Sequence, residues 1–372
     1  MIKIRSLETA VYRYPLKTPV QTSFGIMRDR PMVLVKLFDD EGVSGIGEIW
    51  CNFPAVGAEH RANLVNSIFS PLLSSRTFKS PENAFDYLTE KTWVLGLQTG
   101  EFGPLAQSIA GIDIALNDLF ARKLSKPLWE FYGGKKSEVP IYASGINPKG
   151  AEKMAETALD KGFKALKLKI GFDKKKDIQN IKSLKTLVGE NEKLMTDANQ
   201  AWDVNEALQM MDEISEYNLS WLEEPIPVDR PSDEWRKLHE TGTTPLAGGE
   251  NVMGVQGFNS LLSEGVLDVI QPDLAKWGGL TKTIPVAQKI LSSQKLYCPH
   301  YLGGGVGLVA SAHALAAVGS NGMLEVDFND NPLRSLIVDP MLDKSSGSME
   351  LGKGYGLGIE FDFKQIEEFR VL

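Results

Sequence analysis

From Val139 onward, short strand-like runs alternate with helix-like segments at a regular period. The runs end at Ser144, Lys169, Asp197, Glu223, Glu250, Asp273, His300 and Glu325, spaced 25, 28, 26, 27, 23, 27 and 25 residues apart. A strand, a helix and their two connections occupy roughly thirty residues. Eight such units predict an α/β fold, a (β/α)8-type TIM barrel, over residues 131–340.

What precedes the period has another pattern. Residues 2–14 and 32–38 alternate in polarity, and Asp39-Asp40-Glu41-Gly42 has the composition of a hairpin turn leading into residues 43–49. From Glu59 to about Lys126 the spacing turns helical, with Ile109, Ile112, Ala115, Leu116 and Leu119 on one face and Pro127 ending the run. Residues 1–130 therefore read as an α+β capping domain. The last stretch, 341–372, returns to strand and turn composition with Gly352, Gly354, Gly356 and Gly358, and is expected to pack back on that cap and complete it.

Composition narrows the function. Apolar residues at 42% and charged residues at 24% are ordinary for a globular chain. A net charge of −8, with the acidic residues scattered, argues against a nucleic-acid partner. Only Cys51 and Cys298 are present, so there is no disulfide framework and no CxxC pair. The first residues lack the apolar core of a signal peptide, and no run is long enough to span a membrane. A cytoplasmic protein is expected.

In a barrel the strand C-termini share one mouth, so the run ends should carry the chemistry. Runs three to five end in Asp197, Glu223 and Glu250. Each alone could be a solvated or capping acid, but three in succession would repel one another severely without a cation. An all-oxygen set selects Mg²⁺, with Mn²⁺ as the alternative. Across the mouth lie Lys167-Leu168-Lys169, whose two lysines share a face. A KxK triplet standing alone would read as surface lysines; beside a metal, the shared charge is expected to lower the pKa of one and make Lys169 a base. Asp273 with His300 is the more specific pair, since a carboxylate fixes the tautomer of an imidazole and tunes it for acid or base work. His60, His239 and His313 fall in helical or surface context, and no two histidines have the spacing of a zinc hydrolase.

Several motifs together resemble the enolase superfamily. They are Gly45-Ile46-Gly47-Glu48, residues 111–119 with Pro127-Leu128 and Gly133-Gly134, Lys167-Leu168-Lys169, Asp197-Ala198-Asn199-Gln200 and Trp221-Leu222-Glu223-Glu224-Pro225. Gly249-Glu250-Asn251, Gln271-Pro272-Asp273, Lys276-Trp277-Gly278-Gly279 and Pro299-His300 follow in order. The resemblance implies a modified, enolase-like barrel. It also implies one Mg²⁺ per subunit on Asp197, Glu223 and Glu250, with Glu224 as the outward neighbour of its ligand. Asp273, where the muconate-lactonizing subgroup has a lysine, implies the mandelate racemase subgroup, and Glu325 falls where that subgroup binds the substrate carboxylate. Asn117 departs from the family's usual tryptophan, a change expected to touch packing rather than chemistry.

The leading functional reading is an acid-sugar dehydratase in a homo-oligomer. Lys169 or His300 takes the α-proton, Lys167 and the metal stabilise the enediolate, and His300 protonates the leaving β-hydroxyl. Racemisation of a 2-hydroxy acid suits the same groups. A sugar-lactone cycloisomerase is suggested by Glu325-Val326-Asp327, Asn331-Pro332-Leu333-Arg334 and Gly356-Leu357-Gly358-Ile359-Glu360, which look like galactarolactone cycloisomerases. A non-catalytic scaffold would predict gaps in the constellation, and there are none. Substrate contacts are expected from Asn199 and Lys276 and from two cap loops, 18–27 and 50–56, through Thr22, Phe24, Trp50, Asn52 and Phe53.

Overall fold

The computed structural model describes residues 1–22, 25–189 and 192–372, with Thr18, Gln21 and Thr22 described through their backbone alone. The chain begins with a four-stranded antiparallel sheet, built from β1 (Ile2–Thr22), β2 (Gly25–Asp39), β3 (Ser44–Ile49) and β4 (Thr77–Phe78) in the order β3-β2-β1-β4. The β2–β3 turn closes because the Asp39 carboxylate accepts from the backbone N–H of Glu41 and Val43 at 3.0 and 2.8 Å. Residues 18–27, expected as a loop, are mostly strand. Pairing shifts register between Pro15 and Val20, then resumes as Val20↔Met27 and Gln21↔Ile26.

Helices α1 (Gly57–Leu64), α2 (Ser70–Leu73), α3 (Pro81–Thr99), α4 (Phe102–Lys123) and α5 (Leu128–Phe131) follow. α4 lies directly on β3, and the closeness explains the glycines there. A Cβ on Gly45 would fall 2.1 Å from the Ala115 carbonyl oxygen, and one on Gly47 would fall 2.1 Å from that of Gly111.

The second body holds eight parallel strands: β5 (Glu138–Ile146), β6 (Ala165–Lys169), β7 (Lys193–Asp197), β8 (Leu222–Glu223), β9 (Leu246–Gly248), β10 (Val269–Ile270), β11 (Leu296–Tyr297) and β12 (Leu324–Asp327). Consecutive strands pair from β5 to β11, and β12 pairs with β5. Between β11 and β12 the Met323 N–H reaches Cys298 Sγ at 3.4 Å. Helices α6 (Ala151–Asp160), α7 (Lys174–Val188), α8 (Val204–Ile214), α9 (Ser232–Thr241), α10 (Gly254–Glu264), α11 (Gly279–Ser292) and α12 (Gly305–Val318) connect the strands, and the short α13 (Pro332–Val338) follows β12. The strand ends differ slightly from the period. β9, β10 and β11 stop at Gly248, Ile270 and Tyr297, so Glu250, Asp273 and His300 stand on the segments just beyond.

One side chain from each strand or its flank makes an apolar plug in the ring: Tyr142, Ala165, Met195, Trp221, Ala247, Val269, Cys298 and Met323. Strand periodicity then places Ser144, Lys167, Asp197, Glu223, Gln271 and Glu325 one layer above, two residues on. The plug is the floor of the site. Both cysteines are free and buried.

The final segment ties the bodies together. β13 (Leu342–Asp343) and β14 (Ser348–Glu350) form a hairpin whose second strand runs antiparallel to β5. Arg370 bridges to Tyr12, and the Val11 N–H donates to the Leu372 carbonyl at 3.0 Å. The buried His313 of α12 accepts from the Trp129 N–H at Nδ1 (3.0 Å), so its proton sits on Nε2 and is donated to the Leu357 carbonyl (3.1 Å). Burial lowers its pKa to about 4, only partly offset by the bond to Leu357. In the unfolded chain the same imidazole accepts its proton near pH 6.5, so stability present above that pH is lost as pH falls toward 4. From this one group we expect a loss of roughly 3 kcal/mol between pH 7 and 4. Urea unfolding of wild type and His313→Gln across that range should show a shallower pH slope in the variant.

Candidate active site

The polar layer above the plug is organised by one cation. Lys167 is fully buried, and its Nζ lies 2.8 Å from both Glu223 oxygens, 2.8 Å from Glu325 Oε1 and 3.6 Å from Asp197 Oδ2. Gln271 Nε2 donates to Glu223 at 2.7 Å and Trp221 Nε1 at 3.3 Å, while the Ser144 hydroxyl donates to Glu325. Burial alone would lower the lysine's pKa, but Glu223 and Glu325 hold it well above the ordinary value. Glu223 is pushed up to about 7 by burial and then by Asp197, the repulsion anticipated for adjacent carboxylates.

A second tier faces the mouth. Lys169 Nζ lies 2.5 Å from Asp197 and 2.9 Å from Asn199 Oδ1. Its pKa is raised above the ordinary value. Burial pulls it down, as does Lys167 to a lesser degree, but Asp197 in direct contact outweighs both. His300 holds Asp273 at Nδ1 (2.7 Å) and Glu250 at Nε2 (2.6 Å), with Glu325 at 3.8 Å. Burial opposes its charge, yet Glu250 and Glu325 raise its pKa well above the ordinary value. Asp273 also accepts from the backbone N–H groups of Ala275 and Lys276, which fixes the carboxylate that orients the ring.

Lys169, Asn199, Glu250, Lys276, His300 and Glu325 line one cavity, and the cap supplies Trp50, Asn52 and Phe53 to its wall. Lys276 sits 5.2 Å from the Trp50 ring centroid and 3.4 Å from Glu250. Asn52 donates to the Leu302 carbonyl at 2.7 Å, across the seam between the two bodies. Phe24 lies outside the described residues, as does the side chain of Thr22.

Glu224, next to Glu223, is buried in a left-handed backbone (φ 39°), and accepts from Gln200 Nε2 at 2.7 Å and Asn251 Nδ2 at 3.0 Å. Burial and Glu250 push it to about 8. Asn117, the departure from the family pattern, is buried between α4 and α11 (Gly279–Ser292), bonded to Asp113, Thr281 and Tyr132. Sequence reasoning missed Arg30, Asn147 and Asn329 in the cavity wall. It also missed the reach of Glu48, which accepts from Gly304 and Gly307 N–H at 2.5 and 2.9 Å at the start of α12. The glycine-rich sequence around residues 303–307 was the available signal.

Two family models cover most of the chain. The description "Mandelate racemase / muconate lactonizing enzyme, N-terminal domain" matches residues 5–133, and "Enolase C-terminal domain-like" matches 150–366. The chain belongs to the mandelate racemase and muconate lactonizing enzyme family of the enolase superfamily. Among its relatives, a D-galactarolactone cycloisomerase of Agrobacterium fabrum is 29% identical over 100% of this chain and 99% of its own. An arabinonate dehydratase of Saccharolobus solfataricus is 28% identical over 92% of each. A solved structure described as mandelate racemase/muconate lactonizing enzyme, from Bordetella bronchiseptica, has a TM-score of 0.93 at 47% identity over 99% of each chain. A Streptomyces coelicolor racemase solved with bound magnesium gives 0.88 at 26% identity, over 99% of this chain and 100% of that one.

Members of this superfamily bind Mg²⁺, and the donor set here fits a hard divalent ion. Asp197, Glu223 and Glu250 offer only oxygen and stand at or just beyond the ends of neighbouring strands, the first two buried and the third half-buried, with the chain's own cations drawn onto them. A different acidic group, Asp39, Asp40 and Glu41, comes closest together among the described residues. It is the β2–β3 turn, where Lys123 Nζ already lies 2.6 Å from Asp39. Among the described residues no helix is long and apolar enough to cross a membrane.

Because Lys167 holds three buried carboxylates, Lys167→Met should destabilise the fold by about 3–5 kcal/mol. Adding Glu325→Gln should recover part of that loss. Guanidinium unfolding midpoints of the single and double variants would measure both effects.

Proposed function

We propose that this enzyme removes the proton α to a carboxylate with Mg²⁺ held by Asp197, Glu223 and Glu250, and that its reaction is dehydration of an acid sugar to a 2-keto-3-deoxy acid. The observation that carries the reading is the pairing of two proton carriers in one cavity. Lys169 reaches it from β6 and His300 from beyond β11, on either side of the carboxylate trio. Magnesium supplies charge neutralisation at the substrate carboxylate, which is what makes so weak a carbon acid reactive.

The chain's own groups do the rest. His300, an imidazolium locked by Asp273, is set to give its Nε2 proton to a leaving hydroxyl. Lys169, held by Asp197, would act as the base where that carboxylate is given over to the divalent ion. The C–H pair moves into a new C=C bond as the β-C–O bond breaks and water leaves; the enol then tautomerises to the keto acid. Glu325, held between Lys167 and Ser144, would hydrogen-bond the substrate carboxylate as the donor in its protonated form. Lys167 balances charge beneath it.

A second reading is supported by the full-length similarity to the D-galactarolactone cycloisomerase. There the leaving oxygen would be part of the ring, and the product would be an isomer instead of a dehydrated acid. A racemase would use both carriers on one carbon.

One panel separates these reactions. Acid sugars and sugar lactones are incubated with protein and Mg²⁺ in D₂O and analysed by mass and chirality. We expect a product lighter by one water and reactive with semicarbazide, and expect EDTA to abolish it. His300→Asn should lose that product while retaining deuterium exchange at the α-carbon. An isomer of unchanged mass would favour the cycloisomerase, inversion at the α-carbon the racemase, and full turnover in EDTA would overturn the metal assignment. Amide variants of Asp197, Glu223 or Glu250 should fold and lose activity by roughly a thousandfold or more.

A further inference from the structure

The cavity has a wall that the proton chemistry does not use. Arg30 on β2 lines it and is only 3% exposed. Its Nη2 donates to Asp327 Oδ2 at 2.9 Å, and its Nη1 faces only the weak acceptor Met27 Sδ at 3.7 Å. Its Nε has no hydrogen-bond partner among the described residues. Nε is enclosed, and Nη2 is committed to Asp327, so Nη1, bonded among the described residues only to a thioether, is the nitrogen with donor capacity left for a ligand.

Asp327 does not fully neutralise this charge. The same Oδ2 also receives Arg334 Nη1 at 3.4 Å, and Oδ1 accepts from the Asn329 N–H and side chain at 3.1 and 2.7 Å. Two arginines therefore share one carboxylate. Asn147 donates to Asn329 Oδ1 at 2.8 Å, continuing the polar wall. Gly145, at φ 72°, lets the wall close, since a Cβ there would fall 2.6 Å from Asn329 Nδ2.

Position in the ring gives the wall its meaning. In an eight-stranded ring β12 stands opposite β8 and β5 opposite β9, so this wall faces the Glu223 and Glu250 side of the mouth. Asp327 follows Glu325 by two residues on the same face of β12, one layer nearer the cap, so a substrate whose reacting carboxylate spans the acidic trio and Glu325 has its other end directed up toward Arg30.

We propose that Arg30, positioned by Asp327, reads a second carboxylate at the far end of the substrate, so that the enzyme prefers dicarboxylic over monocarboxylic acid sugars. This rests on the α-proton reading of the site and narrows its substrate class. A charge-assisted N–H from Nη1 to a carboxylate is stronger than one to a neutral acceptor, and the low exposure of the wall strengthens that contact.

The test compares galactarate with galactonate and glucarate with gluconate, in the Mg²⁺-loaded protein. Two readouts are taken: α-deuterium exchange, and the rise in melting temperature on binding. Wild type should favour the diacids by roughly 10- to 100-fold in exchange efficiency, and by a larger melting shift. Arg30→Met should bring diacid and monoacid to parity. Arg30→Lys, which keeps the charge beside Asp327 but lacks Nη1, should retain an intermediate preference and serves if the methionine variant does not fold. Equal handling of both acids by wild type, or an undiminished preference in both variants, overturns the proposal and leaves proton abstraction standing. Absence of exchange with every acid would count against proton abstraction, and the melting shifts would still decide the diacid preference. Absence of any diacid-dependent shift overturns the role given to Arg30.

Discussion

The buried ammonium of Lys167 is the interaction on which the barrel mouth depends. It stands on an apolar floor in contact with Glu223 and Glu325 and near Asp197, and each carboxylate would otherwise face its neighbours in a poorly solvated space. Glu223, raised to about 7 even with the lysine present, shows how incompletely one cation balances several acids. Oxygen-only donors that keep a residual negative charge are the set that suits a hard divalent ion.

The cap has two relations to that mouth. It covers it, through Trp50, Asn52 and Phe53, and it fixes part of it, through Glu48. The Glu48 carboxylate holds the backbone at Gly304 and Gly307, a few residues after His300, so the position of the imidazole depends on a residue of the other body. Asp113 adds a second clasp by accepting from Thr281 N–H and hydroxyl at 3.0 and 2.5 Å. The tight contact of α4 with β3, which the glycines permit, makes the cap rigid enough to act this way.

Dehydration, ring opening and racemisation share the same first event, removal of a proton beside a carboxylate. They diverge in what receives the second proton and in which oxygen leaves. Both depend on how the far part of the substrate is held, and therefore on the wall formed by β5, β12 and the cap. Relatives named for different reactions, a cycloisomerase and a dehydratase, match this chain over 92% or more of its length.

The sequence by itself determined the barrel, the order of its strands and the residues at their ends. These follow from a local period: alternation of two along a strand and a unit length of roughly thirty residues place Lys167, Asp197, Glu223 and Glu325 without knowledge of the rest. The motifs then named the family. Tertiary structure decided what depends on partners brought together by ring closure and by the cap. Arg30 and Asp327 are 297 positions apart, and nothing local in either marks an ion pair. Glu224 is buried because Gln200 and Asn251 reach it from neighbouring loops, and Lys169 is charged because Asp197 touches it. A pKa and a contact across a seam are set by distances in space, which no spacing along the chain encodes.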